Sequence, residues 1–192
     1  AFNATSGGGG ATLIKNNADY DDGFTADGLW AARTAGAWGN NIKVSICPNS
    51  ASAYENTSAT TVNDASTAVG DTTITVADGG ELNVGDIINF GEAGGYEYRV
   101  TAISTNDVTF VRHPSGTGGL HTAVADSSTI RRRWRYYDLV SGAPGTSAYT
   151  SARGGSADEI HVVVVDEDGG ITGTAGEVLE VYDSVSVAGD AK

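Results

Sequence analysis

The sequence predicts a mainly β protein of the α+β class: a small mixed sheet with one short helix, interrupted by an inserted antiparallel β-barrel or sandwich. Three observations favour this class. Short segments of alternating apolar and polar residues recur along the chain, turn residues separate them, and one segment alone has a helical pattern. The predicted discontinuous domain comprises 1–56 and 138–192, and the inserted β module comprises 57–137.

The first fifty residues predict a loop-rich entry, a helix and a strand. Residues 1–23 are rich in Gly, Asn and Asp. Asp27 can cap the helix, and Gly36 lies where a left-handed C-terminal residue belongs. The strict alternation over 41–46 predicts a half-buried strand, which Pro48 ends.

The middle of the chain predicts the inserted module, because short strands and turn signals alternate there at about 8–12-residue spacing. Ile74 and Val76 are expected to point inward from their strand. A second face is expected to carry Tyr96, Tyr98, Val100 and Ala102. The predicted strands are 72–76, 86–90, 96–103, 108–111 and 129–137.

The last quarter of the chain predicts a linker followed by two strands. Residues 138–157 are rich in Gly, Ser, Ala and Pro. The segment 159–165 is apolar on both faces, which predicts a central strand covered on both sides, and 178–182 is its expected partner. Because short strands do not form a stable two-stranded sheet alone, these strands are expected to join the strand at 42–46.

The composition is strongly acidic, with 11 Lys and Arg against 24 Asp and Glu and a formal charge of −13. This balance argues against a general nucleic-acid or anionic-membrane partner, since phosphate binding needs a basic surface. No apolar run approaches the length of a membrane span, so direct membrane insertion is not predicted. The absence of Met predicts a fragment of a longer protein.

The sequence lacks the motifs of common enzyme classes, so no catalytic residue, metal or cofactor is predicted. His113, His121 and His161 share no metal-ligand spacing. His161 lies in an apolar strand, which predicts a structural histidine. Cys47 follows another apolar strand and is predicted to pack as a small hydrophobe.

Two charged segments are candidate subunit-contact or salt-bridge sites. Asp166, Glu167 and Asp168 open like a calcium loop, but Gly170 and Ile171 occupy positions that do not suit one, so a turn with exposed acids is predicted. The second segment contains Arg131, Arg132, Arg133 and Arg135 around Trp134.

In a strand, the odd-numbered arginines of 131–135 would share one face, and Arg132 and Trp134 the other. Three interpretations remain open for this segment: a solvated edge strand, a salt-bridge stripe within the chain or toward another subunit, and a polyanion contact. The net charge of the chain ranks the polyanion contact below the other two.

Six ordered segments together resemble the tail sheath protein of contractile-tailed, T4-like bacteriophages. The resemblance covers roughly 12–47 and 158–192, and the middle of the chain departs from it. The segments are 14–20, 28–33, 36–44, 158–170, 173–180 and 184–192.

The resemblance implies a structural, non-enzymatic subunit of the virion tail, assembled in the host cytoplasm. Sheath subunits of this family form hexameric rings around the tail tube, contract on a signal from the baseplate and drive the tube through the host envelope, so host genome ejection is the implied process. The isolated fragment is expected to be monomeric. The segment 57–137 looks like a small β module of phage structural proteins.

Two other functions are open. The β module could bind a host glycan or another receptor, with Tyr96, Tyr98 and Trp134 as surface-binding aromatics. The chain could also be a hydrolase acting on peptidoglycan or polysaccharide, although no carboxylate pair stands out.

Overall fold

The computed structural model of the chain describes residues 37–188, which form nine strands and two single-turn α-helices. The predicted mainly β class is confirmed. The predicted entry and helix, up to residue 36, lie outside the described residues. The strands are β1 (Ile42–Cys47), β2 (Glu55–Thr61), β3 (Thr73–Thr75), β4 (Ile87–Asn89), β5 (Tyr98–Ser104), β6 (Asp107–Arg112), β7 (Thr129–Arg133), β8 (Glu159–Asp166) and β9 (Glu177–Ser186). The helices are α1 (Ala51–Tyr54) and α2 (Ala148–Ser151), and 3-10 turns occupy Ala37–Asn41, Gly79–Glu81 and Tyr137–Leu139.

Six of the strands form one antiparallel sheet in the order β2-β7-β4-β5-β6-β3. Ile74 and Val76 are buried in its core, as predicted. A single antiparallel bridge between Val62 and Val76 joins the chain just beyond β2 to the chain just beyond β3. The two edges of the sheet therefore meet at one point, and residues 37–188 contain no closed barrel. The rest of the core includes Ile88, Phe90, Tyr98, Val100, Val108, Phe110, Leu120 and Ile130.

A β-bulge in β5 changes which of its side chains face the core. Val100 lies opposite Phe110 and Ala102 opposite Thr109, so one extra residue, Thr101, is inserted between them. As a result Ala102 is exposed, and the following residue, Ile103, packs against the core. The predicted placement of Ala102 on the same face as Val100 is therefore wrong, because strict alternation holds only where no bulge interrupts the strand.

The other three strands form an antiparallel sheet in the order β1-β8-β9. The central position of β8 agrees with its sequence, since Val162, Val163 and Val165 are all buried. A strand with neighbours on both edges and cover on both faces can be apolar at successive positions. The sheet predicted as mixed is antiparallel.

The segment 138–157, predicted as a linker, has a defined conformation that includes α2. The carboxylate of Glu159 accepts a hydrogen bond from the N–H of Gly145 at 3.0 Å. Asp158 accepts one from the N–H of Ser147 at 2.8 Å, and Ser147 in turn caps α2. The carboxylates of Asp158 and Glu159 thus accept hydrogen bonds from loop N–H groups that have no partner in a sheet.

The chain divides into two compact units, each with its own internal contacts. One includes 37–45 and Val162–Val181, and the other comprises Ile46–His161 and 182–188. The predicted division into 1–56 with 138–192 and an inserted 57–137 stays a prediction. None of the helices in the described part of the chain is long and apolar enough to cross a bilayer.

Candidate functional site

The predicted arginine segment consists of the end of β7 and the two residues after it. Arg132 and Trp134 are buried, Arg131 is exposed, and Arg133 and Arg135 are partly exposed. This is the predicted alternation, and it follows from the two-residue period of a strand. The two faces of the segment therefore have different environments.

On the outer face, two arginines pair with carboxylates of the same chain. Arg131 contacts Glu55 of β2, and Arg133 contacts Glu97. The guanidinium of Arg133 also lies 3.9 Å from the centre of the Tyr137 ring. The Arg131 side chain is 50% exposed, so water screens its ion pair and its contribution to stability is about 1 kcal/mol or less.

On the inner face, Arg132 forms a buried ion pair with Asp86, with 3.2 Å between Nη1 and Oδ2. Arg132 also donates hydrogen bonds to the carbonyl oxygens of Ser52 and Ala53 in α1. Burial raises the pKa of Asp86, although Arg132 and the donors of Asn83 oppose this shift. The pair connects α1, β7 and the turn before β4, so its geometry indicates a structural role.

Trp134 belongs to a buried aromatic group and is not a surface-binding aromatic, contrary to the prediction. Its ring centre lies 5.5 Å from that of Tyr136 and 6.2 Å from that of His161. His161 is fully buried, as expected of a structural histidine. Its Nδ1 accepts a hydrogen bond from the N–H of Ser184 at 3.0 Å, and its Nε2 lies 2.8 Å from the carbonyl oxygen of Gly142. The Asp183 carboxylate also lies 3.1 Å from Nδ1, so both ring nitrogens have polar partners.

Tyr98 is also unsuited to surface binding, since it is fully buried in the core. Its hydroxyl donates to Glu92 at 2.9 Å and accepts from the N–H of His121 at 3.0 Å. Tyr96 is partly exposed, but its ring stacks on His121 at 3.9 Å between centres. A Cβ at Gly94 would clash with the same ring. Tyr98 and Trp134 are therefore buried, whereas the predicted surface-binding role of Tyr96 stays a prediction.

The predicted acidic turn is organised by a buried aspartate. Asp166 is fully buried, contrary to the prediction of exposed acids, and its Oδ2 accepts hydrogen bonds from the N–H groups of Ile171 and Thr172 and from the Thr172 hydroxyl. Burial raises its pKa, but these donors outweigh burial and hold the pKa below its usual range. Glu167 pairs with Lys43 at 2.7 Å, and Asp168 is exposed.

Two further aspartates of the acidic C-terminal part hold loops in the same way. Asp158 accepts hydrogen bonds from the hydroxyls of Ser186 and Ser147, which lower its pKa. Asp183 accepts from both the hydroxyl and the N–H of Ser141, which lower its pKa in turn. The serines that bind these acids are 11 to 42 residues away in the sequence, so no local pattern predicts these hydrogen bonds.

Neither a group of metal ligands nor a reactive cysteine is present among the described residues. No three His, Cys, Asp or Glu side chains of 37–188 group as metal ligands. Burial raises the pKa of Cys47 to about 11, so its thiol is protonated at neutral pH and packs as predicted. The polar side chains described above instead form ion pairs and hydrogen bonds that hold loops.

The sequence signal for the partners of the arginines is weak. Glu55, Asp86 and Glu97 are isolated acids in three separate segments, and only the strand register brings them beside β7. No protein-family model, curated protein or solved structure matches the chain.

Proposed function

We propose that this chain is a structural, non-enzymatic part of a contractile phage tail sheath subunit. Its partners are then other sheath subunits in hexameric rings, the tail tube and the baseplate, and its place is the virion tail. The proposal extends to the process that a sheath drives, which is passage of the tube through the host envelope.

The proposal rests mainly on the agreement between the segments that resemble sheath proteins and the division of the strands into two sheets. Among the described residues, the segments that resemble sheath proteins contain β1, β8 and most of β9, which form one sheet although more than a hundred residues separate β1 from β8. The part without resemblance, 57–137, contains β3 to β7 of the other sheet and most of β2. If a module is inserted into a sheath-like domain, the segments on either side of the insertion are expected to form one sheet and the module another.

Charge patterning supports the same proposal. A sheath must hold its subunits in register and let them dock in a new arrangement on contraction, and charged contacts give register at modest energetic cost. The outer face of β7 carries ion pairs rather than an apolar patch. Such a surface suits contacts that form and re-form.

The test is the assembly behaviour of the product of the complete reading frame that contains this chain. Expressed alone and viewed by negative-stain electron microscopy, it is expected to form hollow tubes of stacked sixfold rings. Sedimentation should show that the tubes form above a critical concentration. A product that remains monomeric at every concentration and salt condition tested contradicts the proposal.

A further inference from the structure

The six arginines of the β module differ in whether a residue of 37–188 provides a partner for them. Arg131, Arg132 and Arg133 each pair with a carboxylate. Arg112 donates to the carbonyl oxygens of Gly119 and Leu120, and Arg135 lies over the Tyr136 ring. These five guanidiniums are accounted for within the chain.

The sixth arginine, Arg99, is different. It lies in β5, between Ile87 of β4 and Val111 of β6, and is partly buried. Among the described residues no carboxylate lies within 4.0 Å of its guanidinium, which extends over Gly116. A guanidinium that is partly desolvated without a counter-charge is unfavourable, and in a chain of net charge −13 counter-charges are abundant.

The complementary surface lies in the acidic C-terminal part of the chain. From Gly154 to Ala191 the sequence contains nine acids and no base. Asp158, Asp166 and Asp183 are occupied with loop hydrogen bonds. Asp168 and Glu177 are exposed, and neither has a cation within 4.0 Å among the described residues.

From this complementarity we infer that Arg99 is a contact to a second copy of the chain and binds the carboxylates of Asp168 and Glu177 of that copy. The inference rests on the proposed sheath function. The two surfaces of the contact differ, so it is heterologous, and a heterologous contact repeats from copy to copy and builds rings or helical arrays. Arg99 is suited to this role because a guanidinium can bind carboxylates through paired N–H groups.

The experiment compares charge-reversal variants of the complete reading-frame product. Arg99→Glu places like charges opposite each other and should raise the critical concentration for tube formation about tenfold or more. Arg153→Glu, which reverses an exposed arginine stacked on Tyr149, is the matched control and should leave the critical concentration unchanged. Thermal unfolding of both variants checks that each one folds, since Arg153→Glu removes the hydrogen bond to the Tyr149 carbonyl oxygen and Arg99→Glu changes a partly buried position.

The partner assignment is tested by rescue. Arg99→Glu combined with Asp168→Lys and Glu177→Lys in the same chain restores opposite charges and should restore the wild-type critical concentration. Failure of this rescue overturns the acidic partner, and an unchanged critical concentration for Arg99→Glu overturns the contact itself. In both cases wild-type tubes would leave the proposed function standing, whereas a wild type that forms no tubes removes both.

Discussion

The chain builds the same four-residue turn twice, at 68–71 before β3 and at 83–86 before β4. In each turn the N–H of the last residue donates to the first carbonyl oxygen at 3.1 Å. The last side chain accepts a hydrogen bond from the first N–H, at 2.6 Å for Asp71 and 2.8 Å for Asp86. The third residue is a glycine with φ of +94° or +98°, and the second is an exposed valine.

The two turns differ in what surrounds the aspartate. Asp71 is partly exposed and has no cation within 4.0 Å among the described residues. Asp86 is buried and forms the ion pair with Arg132. The comparison shows that one local signal, Val-Gly-Asp, specifies a turn in both places, while tertiary packing decides how much stability depends on it.

The largest expected effect is the loss of the Asp86 carboxylate. Asp86→Ala leaves Arg132 buried without a counter-charge and should lower the free energy of unfolding by about 3–5 kcal/mol. Asp71→Ala removes only the turn hydrogen bond and should cost about 1 kcal/mol. Urea unfolding of the 192-residue chain measures both, and equal losses would show that the ion pair adds nothing to the second turn.

A double replacement separates the ion pair from the space that it fills. Asp86→Leu with Arg132→Met substitutes apolar groups for both charges, and such exchanges are often neutral or stabilising. The double variant should therefore unfold at a urea concentration closer to that of the wild type than to that of Asp86→Ala. A double variant as unstable as the single one would mean that Arg132 acts mainly through its hydrogen bonds to α1.

Some features of the fold could be predicted from the local sequence alone. Local periodicity correctly placed Ile74 and Val76 in the core and β8 at the centre of its sheet. It also gave the alternation of Arg132 and Trp134 with their neighbours. These features depend on the identity of residues two or three positions apart.

Features that depend on register or on distant partners could not be predicted in the same way. The pairing of Arg132 with Asp86 joins residues 46 positions apart. The bulge at Thr101 is a departure from the alternation on which the prediction relied. The burial of Asp166 depends on donors in the loop that follows it, and an acidic sequence read alone suggests exposed charge.

Replacing the turn glycines should have the next largest effect. Gly70→Ala and Gly85→Ala both place a Cβ at positive φ, which costs about 1–2 kcal/mol. At Gly85 the Cβ would also lie 2.8 Å from Cδ of Arg135, whereas at Gly70 no atom lies within 4 Å. Gly85→Ala should therefore lose roughly 0.5 kcal/mol more in urea unfolding, as the Arg135 side chain leaves its rotamer. Gly142→Ala, with no positive φ and open space around it, is the control.

Acid should separate Asp86 from the aspartates that hold loops. Burial raises the pKa of Asp86 and the Arg132 charge opposes this rise, so Asp86 does not share the loss of stability in acid that is expected of the loop aspartates. The pKa of Asp166 is lowered, so its contribution is complete above the unfolded value of about 3.9 and is lost as the pH falls below it.

Asp158 and Asp183 have lowered pKa values of the same sign, so the chain should lose stability below about pH 4. Asp166→Asn should make this decline shallower in urea unfolding measured between about pH 5 and pH 2.5. Asp168→Asn removes an exposed carboxylate of the same loop without removing a hydrogen bond to Asp166, and provides the control. An equally steep decline in Asp166→Asn would contradict the assignment of these hydrogen bonds to the ionised carboxylate.

The exposed valines of the two turns should matter least. Val69 is 67% exposed and Val84 is 63% exposed, so Val69→Ser and Val84→Ser should each change the free energy of unfolding by about 0.5 kcal/mol or less. The difference between the turns would then lie in the aspartate and its surroundings, because the backbone and the valine are equivalent in both. A loss above about 1 kcal/mol for Val84→Ser alone would mean that the exposed valine also contributes to the difference in stability between the two turns. Urea unfolding of the two serine variants beside Asp86→Ala makes this distinction directly, since all three act within one turn or its counterpart.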